Sequence, residues 1–460
     1  MNRSFAFLVF AIIALKVCAS FFTNFSLYGD EAQYWLWSQN LDLGYFSKPP
    51  LLAWFLSGHI ILFGDSFFSL KMFPLLVYFL IFFAVYRLCL QLCMSKSSSV
   101  ICSFSFILIP AASVSSFLIS TDLLLLLFWV LAMIKLLEIR NVASVLNFFL
   151  LGIFLGLAFL AKYAAVYFLL SFLILIFTDK KILISLKGSV FGWFVFVLVL
   201  ILILLPNIYW NNNNGWVTLS HTSDNANLKN LNFNFGEPLR FLFLQIFMVG
   251  PVLFLSFLYM FKYFRLDFEN KFLLVFSLPI IMVVLVEGFL VRANANWAAP
   301  ALLALLILFY RSIKKHKTII ININFFFNLG LGLFLFFAIA TSMPLKVFDR
   351  ISGLKDFALE VGSITDGKTL VVNDRMLFSS LSYELRDRSI KILMPYNPSG
   401  PVKNHFQLKS KLEVGQNKKF YLVGSPENIS YLSQKHQTKI IKTINKKFIS
   451  EQIIIYEVSF

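Results

Sequence analysis

Residues 188–208, GSVFGWFVFVLVLILILLPNI, run for 21 positions without one charged side chain. A helix rising about 1.5 Å per residue would carry this run across the roughly 30 Å of hydrocarbon in a bilayer. The run is not isolated. Apolar stretches at 4–22, 68–92, 99–117, 122–138, 145–161, 163–178, 240–261, 272–291, 297–311 and 319–342 read the same way, so eleven membrane helices are expected. The chain as a whole is 59% hydrophobic and only 14% charged, and Phe alone supplies 56 of its 460 residues. An average soluble protein carries about 25% charged residues. A soluble core has no place for so many apolar faces, so a polytopic helical membrane domain is the expected class.

The first run, 4–22, follows Arg3 and resembles a signal peptide in outline. Its apolar length is generous and Phe-Phe-Thr-Asn-Phe-Ser is a poor small-residue cleavage site, so a retained span is expected. The four cysteines, Cys18, Cys89, Cys93 and Cys102, lie in or beside apolar segments and form no CxxC or Cys/His metal spacing. Neither a disulfide framework nor a structural zinc site is implied.

A net charge of +17 invites a nucleic-acid reading, but the distribution of charge excludes it. If the N-terminus is cytoplasmic, Lys96, Arg140, Lys180, Lys181, Lys187, Lys262, Arg265, Lys271, Arg311, Lys314, Lys315 and Lys317 all fall in cytoplasmic loops. The opposite loops receive only Lys48, Lys162, Lys229, Arg240 and Arg292. That asymmetry is the positive-inside pattern. It places the first loop, and everything beyond residue 342, on the non-cytoplasmic side.

From Pro344 onward the composition changes. Charged residues become frequent, and β-prone runs appear at 369–374, 390–395, 419–425 and 451–458, separated by turn residues. The expected organisation is a membrane domain over 1–342 and a small α/β domain over 343–460. The tract WNNNNGW at 210–216 is bracketed by tryptophans, which suits an interfacial loop.

Ionisable groups at the membrane edge are costly, so their positions are informative. With this topology, Asp30, Glu31, Lys48, Asp122, Lys162, His221, Asp224, Glu287 and Arg292 all fall on one face. The first loop is too long for a simple hairpin. DEAQYWLWSQNL begins with acids in a first turn and carries Tyr34, Trp35 and Trp37, the pattern of a helix lying in the interface. KPPLLAWFLSGHIILFG places Pro49 and Pro50 where a second helix begins, with Lys48 just before its positive dipole end. A lysine there suits a phosphate. Asp30, at an aqueous boundary, is placed to take a proton from a hydroxyl.

Five stretches in order carry a family resemblance: GDEAQYWLWSQNLDLGYFSKPPLLAWF, STDLLLLLFW, GLAFLAKYAAVYFLL, WNNNNGWVTLSHTSDN and ANANWAAPA. Over residues 1–310 the chain resembles the family-39-type glycosyltransferases. These are relatives of protein O-mannosyltransferases and of the aminoarabinose transferases that modify lipid A, all of GT-C fold. The resemblance implies a polyprenyl-phosphate-linked sugar as donor, transferred with inversion on the periplasmic face of a bacterial inner membrane. It makes Asp30 the catalytic base or acceptor-orienting group, with Glu31 its companion and Asp122 the second catalytic acid. Lys48, Lys162 and Arg292 become donor-phosphate cations. Tyr45, Tyr163, His221, Asn296 and Trp297 are the expected substrate contacts.

One position departs from the pattern. Aminoarabinose transferases commonly carry an acid, associated with a bound metal, just before the KPP lysine, and Ser47 stands there in this chain. A divalent metal and the aminoarabinose substrate are therefore not carried over, and no cofactor is assigned. Expected partners are the donor lipid, a lipid A, other glycan or protein acceptor, and the surrounding lipids; no nucleic acid is expected, and the chain is expected to be a monomer. The rival reading is a transporter or flippase of lipid-linked sugars. Against it, the charges gather at one interface instead of the midplane, and the chain shows no repeated halves.

Overall fold

A computed structural model describes residues 3–226, 233–260, 264–313, 318–365, 367–413, 419–432, 437–445 and 452–459. Of the loop charges above, Lys229, Lys262, Lys314, Lys315 and Lys317 lie outside these residues. Helix stands at each of the eleven apolar stretches. Among the described residues, five helical stretches are long and apolar enough to cross a bilayer: Phe67–Gln91, Val190–Asn213, Phe268–Leu290, Ala295–Ile313 and Ile319–Ala340. Hydrocarbon offers the backbone no water, so each such segment must bond its own N–H and C=O groups.

The sequence pattern misses where these helices break. The expected spans 99–117, 240–261 and 272–291 are each two helices: Lys96–Leu108 with Pro110–Ser115, Gly236–Val249 with Pro251–Met260, and Phe268–Val275 with Leu278–Leu290. Two breaks fall at the residue before Pro110 and Pro251, where the ring denies a backbone donor and restricts the preceding residue, and the third, at Phe276 and Ser277, puts Pro279 in the first turn of the next helix. The WNNNNGW tract also differs from its expectation as a loop. Asn211 to Asn213 continue the helix Val190–Asn213, and the chain turns only at Gly215 and Trp216, with φ of 63° and 57°. Asparagine amides extend the helix by bonding back: Asn211 Nδ2 donates to the Asn207 carbonyl at 2.9 Å and Asn214 Nδ2 to that of Trp210 at 2.8 Å.

The chain divides into two compact units. The first comprises Met1–Val17, Lys48–Leu52 and Leu70–Phe336 and is helical. The helices Val145–Ala161 and Val190–Asn213 pack closely, because glycines let the backbones approach. A Cβ on Gly152 would lie 2.9 Å from the Phe196 carbonyl oxygen, and one on Gly156 would lie 2.9 Å from Ile203. The spacing Gly152-x-x-x-Gly156 was there to be read in the sequence. Deeper in, the fully buried Trp129 meets Phe168 and Phe276 edge-to-face at 5.1 and 6.2 Å. Outward, Phe194, Leu198, Ile201, Leu202 and Leu205 of one helix stay exposed. An apolar surface of that extent suits lipid.

Two ends of this unit are distinguished by charge. The helix Thr121–Asn141 begins beside Asp122 and ends beside Arg140, about 27 Å away at helical rise. At the far end Arg140 bonds both oxygens of Asp179, at 3.1 and 3.2 Å, and stacks over the Phe268 ring. Arg311 pairs there with Asp267 and Glu269, both at 2.9 Å. These are residues of the loops assigned to the cytoplasm. Asp122 and Asn296 stand at the opposite ends of the helices that carry Arg140 and Arg311.

The second unit comprises Cys18–Ser47, Ala53–Ser69 and Phe337–Phe460. It holds a five-stranded sheet of order β2-β1-β3-β5-β4, with β1 Leu370–Val372, β2 Ile392–Leu393, β3 Lys419–Val423, β4 Gln437–Ile444 and β5 Ile453–Ser459. β2, β1 and β3 are parallel, and β5 runs antiparallel to both β3 and β4. A parallel β1–β2 pair needs a crossover, which the helix Arg375–Glu384 supplies. Val371, Phe420, Leu422, Ile429 and Val458 form the core on one side of the sheet. The sequence foretold four of the five strands and missed β4. QTKIIKTI buries only its last residue, so no inward face marks it as a strand.

The first loop also belongs to this unit. Its helix Gly29–Gln39 packs along Arg375–Glu384. Trp37 stacks on Tyr45 at 4.3 Å, and His405 meets both rings edge-on. Burial holds the His405 imidazole down at about 4, helped by the Lys409 ammonium. The unfolded chain gains a proton near 6.5 that the folded chain refuses until about 4. Stability is therefore expected to fall as pH drops through that window, by roughly 2–4 kcal/mol from this group. Melting curves of the full chain between those pH values should show a shallower fall for His405→Phe than for the parent. In the first unit, Gly156→Leu is expected to overpack against Ile203 and cost about 1–3 kcal/mol. A lowered thermal midpoint in detergent measures it.

Candidate active site

Three of the five motifs meet in one cluster of the first unit. Asp122 lies in the first turn of Thr121–Asn141, and Lys162 caps the C-terminal end of Val145–Ala161. Asn296 lies in the short turn Ala295–Ala298 before the helix Ala299–Ile313. Lys162 Nζ donates to Asp122 Oδ1 at 2.6 Å, and Asn296 Nδ2 donates to Asp122 Oδ2 at 3.0 Å. The Lys162 and Asp122 side chains are only 14% and 16% exposed. Both carboxylate oxygens are thus engaged, which fixes Asp122 as the anchor of Lys162. An ammonium has three donors, and Asp122 takes one of them.

Tyr163 follows Lys162 directly. Its hydroxyl donates to Asn207 Oδ1 at 2.7 Å and accepts from Asn211 Nδ2 at 3.4 Å. Asn207 and Asn211 are both buried. Sequence reasoning passed over this pair, although two amides four residues apart at the end of an apolar helix were a usable signal. His221 is half-buried on the helix Val217–Ala226. Arg292 is exposed, and its backbone N–H caps the Glu287 carbonyl at 3.2 Å. Trp297 is half-buried, its N–H bonded to the Asn294 carbonyl at 3.1 Å. Lys48 is half-buried directly before Pro49 and Pro50, and the helix Leu51–Phe63 follows as expected.

In the second unit the two first-loop acids separate in role. Glu31 is 2% exposed, and its Oε2 accepts from the Tyr28 N–H at 2.9 Å. This is the back-bond of an N-terminal cap. Asp30, one residue earlier in the same first turn, is half-buried. Tyr45 is wholly buried, its hydroxyl donating to the Trp37 carbonyl at 3.1 Å and accepting from the Asp42 N–H at 3.2 Å. Glu31 and Tyr45 are thus both buried and bonded within the first loop and its entry. Among the described residues no three His, Cys, Asp or Glu side chains gather in a way that would hold a metal ion.

Residues 47–210 match the family described as dolichyl-phosphate-mannose-protein mannosyltransferase. A lipid A galacturonosyltransferase, RgtD, of Rhizobium johnstonii is 28% identical over 407 residues, 85% of this chain and 84% of that protein. The apo crystal structure of ArnT from Cupriavidus metallidurans superposes with a TM-score of 0.73 at 13% identity, covering 99% of this chain and 98% of that one. The same enzyme bound to undecaprenyl phosphate gives a TM-score of 0.72 at 13% identity over the same shares. The fold is that of ArnT, and the chain is a multi-pass membrane protein. The chain is thus similar to a lipid A galacturonosyltransferase over most of its length and to the protein-mannosyltransferase family over residues 47–210.

The ion pair gives a direct check on the cluster. Removing one partner of a largely buried pair strands the other charge. Asp122→Asn and Lys162→Met are each expected to lower the thermal midpoint, and the double variant should lose less than their sum. A double-mutant cycle in unfolding free energy is expected to show coupling of about 1–3 kcal/mol.

Proposed function

We propose that this chain transfers a sugar from a polyprenyl-phosphate donor to a lipid A-type acceptor on the periplasmic face of the inner membrane. The observation that carries the reading is the meeting of Asp122, Lys162 and Asn296. Motifs at three distant places in the sequence supply one anchored cation at one end of the membrane unit. The acceptor class draws on the galacturonosyltransferase relative, and the donor on the ArnT structure with its bound undecaprenyl phosphate.

In the proposed reaction, the bond between the sugar's anomeric carbon and the phosphate oxygen breaks while the acceptor oxygen bonds to that carbon from the opposite face. The leaving group is a phosphate whose negative charge is already spread over several oxygens. It needs fixed cations more than a proton, and Lys48, Lys162 and Arg292 supply them. Asp122 holds Lys162 in place, so the cation is positioned before the donor arrives. Asp30 takes the acceptor's hydroxyl proton. Asn296 completes the Asp122 anchor, and Tyr163, His221 and Trp297 are assigned as substrate contacts. The exposed Phe and Leu surface of the membrane unit accommodates the polyprenyl tail.

The test uses the full chain in lipid with a radiolabelled polyprenyl-phosphate sugar and a lipid A acceptor. Asp30→Asn is expected to lower kcat by about 10²–10⁴-fold, the usual range for a lost general base. Lys48→Ala should lower kcat by about 10²-fold or more. Wild-type transfer by both folded variants would overturn these roles.

A further inference from the structure

The acid assigned as base stands on a helix gripped by residues more than 300 positions downstream. Four contacts hold the helix Gly29–Gln39 and its entry. Arg350 Nη1 donates to the Tyr28 hydroxyl at 2.6 Å, |i−j| = 322. Ser26 Oγ donates to Glu384 Oε1 at 2.8 Å. Arg375 Nη1 donates to Gln33 Oε1 at 3.1 Å. Trp35 meets the Tyr383 ring edge-on at 5.0 Å. The closest approach is at Gly29, the neighbour of Asp30, where a Cβ would lie 2.9 Å from the Met376 Cβ.

We propose that the helix Arg375–Glu384 of the α/β unit is a positioning element for Asp30, with Met376 and Arg375 setting the rotation and height of the acidic turn. This rests on the reading of Asp30 as base. The contacts fall on both sides of Asp30 along the chain, at Tyr28 and Gly29 before it and at Gln33 and Trp35 after it. The helix can neither roll nor slide without breaking one. Glu31, buried and bonded to the Tyr28 N–H, turns inward, while Asp30 keeps an open side. The helix Arg375–Glu384 thereby acts on the reaction without touching the reacting atoms. Displacements of about 1 Å at a reacting group can cost on the order of 10²-fold in rate.

The glycine makes the proposal testable, because a Cβ rooted against another Cβ cannot be relieved by a side-chain rotation. Gly29→Ala is expected to lower kcat by about tenfold or more, with the donor KM held within about twofold. Gly29→Ala with Met376→Gly removes the facing Cβ and is expected to recover most of kcat, although glycine inside a helix costs about 1 kcal/mol of stability. Packing that served stability alone would lower the folded fraction in Gly29→Ala and leave kcat per folded enzyme unchanged. Arg375→Ala and Arg375→Lys provide an independent arm: the alanine loses kcat, and the lysine, which still reaches with a donor, recovers part of it. An unchanged kcat in Gly29→Ala and Arg375→Ala, or a loss that neither partner change rescues, overturns the proposal. Asp30→Asn measured beside them separates the two readings. If it stays active, the base assignment fails; if it is inactive while Gly29→Ala matches the parent, only the positioning role fails.

Discussion

Water is absent from the hydrocarbon, and that single constraint orders everything else in this chain. Backbone groups must bond to one another, so apolar runs become helices. Charges must leave the middle, so they collect where the helices end. The helix Thr121–Asn141 shows both effects, with Asp122 at its start, Arg140 at its end and nothing but apolar burial through most of the interval. An enzyme that joins a lipid-borne donor to a polar acceptor needs its charged groups at that boundary. The demands of insertion and of chemistry therefore select the same positions.

Placement at the boundary does not by itself make a residue chemical. Asp30 and Glu31 are adjacent acids in one helical turn, and the fold gives them different tasks. Glu31 is turned inward to complete a cap, and Asp30 keeps an open side. Likewise Asp122 spends both oxygens on Lys162 and Asn296. An acid so engaged fixes a cation better than it accepts a proton. The pairing also explains how a lysine can wait in a poorly solvated place without a bound phosphate: its charge is compensated in advance.

The helical architecture was legible because burial in lipid leaves a long one-dimensional signature. The helix breaks were not, because apolar composition carries straight across Pro110, Pro251 and Pro279 and hides them. Strand β4 was invisible for the opposite reason, since exposure on both faces erases alternation. In the site, the residues within recognisable motifs were found, but their mutual contacts were not. Nothing in the sequence indicates that Lys162 reaches Asp122 or that Tyr45 lies under Trp37. Asn207 and Asn211 were missed because attention fell on charges, and amides in an apolar helix carry the same message more quietly.

The grip of Arg375 on Gln33 spans 342 residues of sequence. A ribosome adding about 5–20 residues per second needs roughly 17–70 s to cover that distance. Throughout that interval the acidic loop has emerged and its partner has not been made. The loop therefore passes through synthesis without its mature scaffold, and a chain released early would carry every membrane motif yet lack the surface that seats the acid. Synthesis must pass Glu384 before the contacts that seat the helix Gly29–Gln39 can form.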